Sequence, residues 1–149
     1  MLNNELTDFS FLPEYDGLPV ANRVEAGKRP LSSMSPTMIF DKNGNIHSLT
    51  GSPGGTSIIG YVAKSIIGLL DWEMSPQEAI NIPHYMRKKE QTELEKDTEL
   101  EKIKEILTNK GHEVSIKRKR SGLHVAKKVD GGYIGGADLR GEGTIIQID

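Results

Sequence analysis

From residue 37 two short stretches with apolar residues, Thr37-Met-Ile-Phe40 and Ile46-His-Ser-Leu-Thr50, stand on either side of the polar run Asp41-Lys-Asn-Gly-Asn45. Two such stretches flanking Asn43-Gly44 predict a β-hairpin, because that dipeptide supplies the positive φ angles a tight turn needs. Residues 58–70 change to helical spacing. Ile58, Tyr61/Val62, Ile66 and Leu69/Leu70 recur on one side, and Ile59, Ala63 and Ile67 widen the apolar face until the helix must be covered on more than one side. A second short helix opens at Ser75-Pro-Gln-Glu78, with Ser75 as N-cap, Pro76 at the first helical position and Glu78 closing a capping box. It ends before Pro83, since a residue preceding proline is pushed out of the helical region. Charge then dominates residues 87–101. A third helix is predicted from about 97 to 110, with Leu100, Ile103 and Leu107 on one face and Gly111 as its stop. Residues 112–117, 123–129 and 133–134 read as short strands, the last two joined by an Asp130-Gly131-Gly132 turn. The first 35 residues show little periodicity and are punctuated by Pro13, Gly17, Pro19, Gly27 and Pro30. So long a stretch without regular structure is often functional. Segregated strands and helices predict an α+β layer structure. One domain is expected over 1–149, with a loop-rich substrate-binding segment 1–35, a core 36–140 and a tail 141–149.

Composition narrows the chemistry. The 149 residues are enough to bury a core, but only 36% are apolar, which fits either a marginal domain or a piece completed by a partner surface. A net charge of −2 leaves no global field favouring nucleic acid or anionic membrane. With no cysteine, disulfides, thiolate catalysis and zinc–sulfur sites are excluded. No apolar run approaches the roughly 18 residues of a bilayer span. The opening residues 1–10 lack the basic and apolar regions of a signal peptide. Compartment is not legible.

Four segments carry a resemblance. Asn3-Asn-Glu-Leu-Thr-Asp-Phe-Ser10, Lys28-Arg-Pro-Leu-Ser-Ser-Met-Ser-Pro-Thr37, Thr50-Gly-Ser-Pro-Gly-Gly-Thr56 and Gly136-Ala-Asp-Leu-Arg140 follow, in order and at about the same spacing, motifs of the gamma-glutamyltransferase family. The ten-residue block 28–37 matches throughout; in the last segment Leu139 stands where the family has proline. The chain thus resembles the C-terminal part of that family's small subunit. The resemblance implies an N-terminal nucleophile hydrolase fold, an αββα sandwich, in a precursor that cuts itself to free a nucleophilic threonine whose own α-amine serves as base. That threonine, its strand and the large subunit would lie outside these residues, so the chain alone is expected to be inactive and to associate with itself. Its partners would be the large subunit of the same precursor and a γ-glutamyl substrate. No cofactor and no metal are implied.

Residue by residue, Glu5 and Asp8 match the positions holding the substrate's α-ammonium; without the family, both would read as caps of a turn. Ser32 and Ser33 match the pair that contacts the α-carboxylate, as hydroxyls can without adding charge; alone they read as a turn before a strand. Gly54 and Gly55 match the oxyanion hole. Independently of the family, two successive glycines at a helix N-terminus allow backbone N–H groups to converge on negative charge, and the plain alternative is a strand-to-helix turn. The segment fits neither phosphate-binding glycine pattern. His47, His84, His112 and His124 have no metal-ligand spacing and read as structural or exposed. Lys117-Arg-Lys-Arg120 reads as a solvated loop that could touch an anion, Glu93 to Glu101 as acidic surface, Trp72 as core or interface, and Asp138 with Arg140 as a structural pair. The reading is therefore part of a γ-glutamyltransferase or hydrolase acting on glutathione-like or poly-γ-glutamyl donors. The alternative is a non-catalytic binding domain that reuses the fold.

Overall fold

A computed structural model describes residues 4–146. Asn3, which opens the first of the four segments, and the last three residues of the 141–149 tail lie outside them. The chain forms two compact units, Met1–Ser33 and Met34–Asp149.

The first unit holds a 3-10 helix, Glu5–Asp8, and a two-residue antiparallel ladder of β1 (Glu14–Tyr15) with β2 (Leu18–Pro19). Backbone bonds such as Ser10 N–H to Asn22 O (2.8 Å) and Val20 N–H to Pro13 O (2.9 Å), together with side chain–backbone bonds of Asn22 and Lys28, order it, while Leu6, Phe11, Leu12, Tyr15 and Leu18 stay exposed.

The second unit contains two sheets. The larger is antiparallel in the order β3 (Thr37–Phe40), β4 (Ile46–Gly51), β8 (His124–Val129), β9 (Gly132–Ala137). Helices α1 (Ile58–Leu70) and α2 (Pro76–Asn81) cover one of its faces. The smaller sheet orders β5 (Tyr85–Lys88), β6 (Gln91–Glu95) and β7 (Glu113–Lys117), with β6 and β7 parallel. A 3-10 turn, Glu99–Ile103, runs into α3 (Lys104–Asn109) as the crossover a parallel pair requires.

The hairpin forms where expected, by a different device. Only Gly44 has positive φ (83°); Asn43 does not. Asp41 shapes the turn instead, its carboxylate accepting the backbone N–H groups of Asn43 (2.8 Å) and Asn45 (2.9 Å). The capping box on α2 forms as the sequence implies: Ser75 Oγ accepts from Glu78 N and Glu78 Oε2 accepts from Ser75 N. Strands β5 and β6 went unread, because their Lys and Glu residues masked the period of two. Glu93 and Glu95 are consequently buried rather than surface residues, a correction with a clear cause: each has cationic partners. Trp72 is half exposed and outside the core of the described residues.

The core gathers Tyr61, Leu69, Ala79, Ile80, Leu123 and Val125 between helices and sheet. The inner face of β4 is polar there. Ser48 and Thr50 are buried, and Thr50 Oγ1 bonds Ser65 Oγ of α1 at 2.8 Å. Met38 and its cross-strand neighbour Leu49 point the other way and line an apolar hollow of about 830 Å³ on the sheet's second face.

Candidate functional site

Residues Ser52–Pro53–Gly54 carry the chain from β4 to a short 3-10 turn, Gly55–Ser57, that leads into α1. Gly54 has φ 140° and Gly55 φ 56°, two successive left-handed residues, a combination that side chains resist and glycine accepts. A Cβ on Gly54 would lie 2.7 Å from the Tyr61 ring, so space as well as torsion demands glycine there. The loop is pinned on its other side, where Ser52 Oγ accepts the Gly122 N–H at 3.2 Å. Both glycines are exposed at the head of a 13-residue helix whose first N–H groups have no intrahelical acceptor.

In the first unit the 3-10 helix places Glu5 and Asp8 three residues apart, where side chains of such a helix eclipse. Both are exposed. Asn22 joins this helix to the serine segment: its Nδ2 donates to Asp8 O (2.7 Å), and its Oδ1 accepts the Leu31 N–H (2.9 Å) just ahead of Ser32 and Ser33. The four residues assigned to the substrate's amino-acid end thus share one unit, organised by an asparagine that carries no signal of its own in sequence. Gly54 and Gly55 belong to the second unit.

Behind the glycine turn runs a buried chain of polar groups. Lys64, on the inner face of α1, donates to Ile82 O and to His84 Nδ1 (2.8 Å). With its proton on Nε2, His84 donates to Ser121 Oγ (2.7 Å), which donates to Asp138 Oδ2 (2.5 Å). Asp138 Oδ1 accepts from Arg140, and Arg140 forks onto Glu95 at 2.5 and 3.0 Å. Glu95 in turn accepts the His84 N–H at 2.7 Å. The Tyr61 ring packs against His84 at a tilt of 42° with centroids 4.1 Å apart, so one aromatic side chain touches both glycine turn and network.

Burial, reinforced by the Arg140 charge, lowers Lys64 to about 7 despite the nearby Glu95 and Asp138 carboxylates. Burial and the Lys64 charge lower His84 to about 3. Burial would raise Asp138, but the Ser121 hydroxyl, two backbone N–H groups and Arg140 outweigh it and hold the carboxyl below its usual range. The expected Asp138–Arg140 pair exists at 3.1 Å; Lys64, His84 and Ser121 as its extension were not foreseen. Among the described residues no group of three His, Asp or Glu side chains is placed to hold a metal.

Comparison with known proteins matches residues 1–148 to the gamma-glutamyltranspeptidase family model. The glutathione hydrolase proenzyme of Escherichia coli is 34% identical over 94% of the chain, which spans only 25% of that relative. That of Bacillus subtilis is 41% identical over 56% of the chain and 13% of its own length. Among solved structures, a Helicobacter pylori gamma-glutamyltranspeptidase mutant superposes with a TM-score of 0.79 at 33% identity, covering 95% of this chain and 81% of that one. A Pseudomonas nitroreducens gamma-glutamyltranspeptidase, 21% identical with TM-score 0.81 over 100% and 82%, shares the fold. The α+β architecture is accordingly that of the N-terminal nucleophile hydrolases, and the chain belongs to the gamma-glutamyltranspeptidase family.

Proposed function

We propose that the protein containing this chain cleaves γ-glutamyl amides and passes the γ-glutamyl group to water, an amino acid or a peptide. The observation that carries this reading is the pair of left-handed glycines at the head of α1, in a chain of this family. A threonine outside these residues, freed by self-cleavage of a longer precursor, attacks the γ-carbonyl carbon while its α-amine takes the hydroxyl proton. The Gly54 and Gly55 N–H groups meet the oxyanion; loss of one such donor typically costs on the order of 10²–10³ in rate. Collapse expels the amine, which recovers the proton, and the acceptor then resolves the ester. Glu5 and Asp8 hold the α-ammonium, and Ser32 and Ser33 the α-carboxylate. The large subunit of the same precursor supplies the remaining walls, and the 149-residue chain alone releases no product.

The test uses the full-length precursor. Asp8→Ala removes a charge-assisted contact worth about 1.5–3 kcal/mol, so kcat/KM on a γ-glutamyl anilide should fall roughly ten- to a hundredfold while self-cleavage continues. A variant that matures and keeps wild-type kcat/KM removes the assignment. If the precursor neither matures nor cleaves, the non-catalytic reading takes its place.

A further inference from the structure

We propose that the open depression beside the Gly54–Gly55 turn is a cationic subsite for the carboxylates a donor carries beyond its scissile amide, directing the protein toward oligo-γ-glutamyl chains. The inference rests on the reading of Gly54 and Gly55 as the oxyanion site. The depression encloses about 400 Å³, and Gly54, Ser57 and Tyr61 form part of its lining. Around them stand Lys88, Lys117, Arg118, Lys119 and Arg120, against one carboxylate, Glu93.

Glu93 neutralises only part of this charge. Its oxygens take Lys117 at 2.7 Å and the buried Lys119 at 2.6 Å. Burial alone would raise the Glu93 carboxyl, but the two ammonium groups outweigh it and hold it at about 2, so it stays an anion. Lys88, Arg118 and Arg120 are exposed, and no described carboxylate lies within salt-bridge distance of them. A solvated basic stretch on a chain of net charge −2 would spread its side chains toward the surrounding acids. Here cations from β5 and from the segment after β7 converge on one hollow, whose mutual repulsion a multiply charged anion relieves.

The hollow is also anchored to the site. The Arg120 carbonyl lies 3.6 Å from where a Gly54 Cβ would stand, and two residues on, Gly122 N–H bonds Ser52 of the glycine loop. Since the donor's own α-carboxylate is assigned to Ser32 and Ser33, the carboxylates left for these cations are those on the leaving side. Guanidinium forks suit carboxylate oxygens. A γ-linked glutamate chain presents one carboxylate per residue; a neutral amide leaving group presents none.

The experiment compares the mature enzyme with its Arg118→Gln/Arg120→Gln and Lys88→Glu variants, all changes at exposed positions. Measured are kcat/KM for γ-linked triglutamate and for γ-glutamyl-p-nitroanilide. The ratio of the two should fall about tenfold in the double variant. Raising ionic strength from about 0.05 to about 0.5 M should lower the wild-type ratio more than the variant's. Titration with N-acetylated γ-linked tetraglutamate, whose blocked amine prevents it from serving as donor, reads the subsite without turnover. Salt-sensitive binding to wild type that weakens in both variants supports the subsite. An unchanged ratio with equal binding by all three proteins overturns it. If neither donor is cleaved, the proposed function fails, and the titration alone decides: binding confined to the wild type keeps the anion site, and equal or absent binding sinks it.

Discussion

Lys64 shows how far a single side chain can depart from what its type suggests. A lysine on an amphipathic helix ordinarily faces water, yet here the amine is buried against His84 and the Ile82 carbonyl. Such burial disfavours the charged form, and the consequence is measurable. Unfolded, Lys64 titrates near its ordinary 10.5; folded, near 7. Between those values the unfolded chain binds more protons than the folded one, so the Lys64 contribution to stability grows as pH rises from about 7 toward 10.5 and is lost as pH falls through 7. Lys64→Met, close in length and without a charge to desolvate, should flatten that rise. Urea midpoints at pH 6.5, 8 and 9.5 check it; parallel profiles for the two proteins would show that the amine stays charged inside the fold. His84, lowered from 6.5 to about 3, acts in the same direction over a lower window, its contribution fading as pH drops from 6.5 toward 3.

At the scale of elements, α2 is placed by contacts that leave no spare volume. Its first residues lie on Gly136 of β9, where a Cβ would approach the Pro76 carbonyl carbon to 2.7 Å and the Gln77 nitrogen to 2.9 Å. Both are backbone atoms and cannot rotate aside. The helix is held to the same strand by Gln77, whose side chain bonds the Ala137 carbonyl (3.0 Å) and N–H (3.2 Å). Gly136→Ala should therefore push α2 off the sheet at a cost of about 1–3 kcal/mol, the range for overpacking. Chemical denaturation of the variant tests this, and a loss below about 0.5 kcal/mol would show that the helix can shift freely. The motif that opens with Gly136 thus has a mechanical reading: glycine admits the helix, Asp138 ties Ser121 and Leu123, and Arg140 closes on Glu95.

For the whole molecule the uncovered surfaces set behaviour. The second face of the four-stranded sheet carries Met38, Leu49 and Ala126, with Ile145 beside its hollow and Met38 65% exposed. On α1, Ile59, Ile67 and Leu70 remain 57%, 43% and 45% exposed. Covering such surface is worth about 25 cal/mol per Å², and in an αββα sandwich a second sheet does so. Without that layer the 149-residue chain should pair with itself. Light scattering at micromolar concentration should show a dimer or larger species. A monomer that melts sharply and binds no hydrophobic dye would mean the chain completes its own core.

What was legible in the sequence was what neighbours in the chain settle between themselves. The Ser75–Glu78 box spans three residues, the Asp41 turn four, the apolar stripe of α1 thirteen, and Gly54-Gly55 declares its torsions directly. The tertiary structure decided what depends on charges meeting across distance. Glu93 becomes a core anion only because Lys119, 26 positions away, arrives beside it; Lys64 is buried because His84 comes from beyond α2; and Glu95 waits for Arg140, 45 positions on. A charge leaves water only when its partners replace the hydration it loses, and partners so far along the chain leave no periodic trace. That is why β5 and β6 looked like surface, why the polar chain behind the glycine turn was invisible, and why a stretch that read as a solvated basic loop became one wall of a cationic hollow.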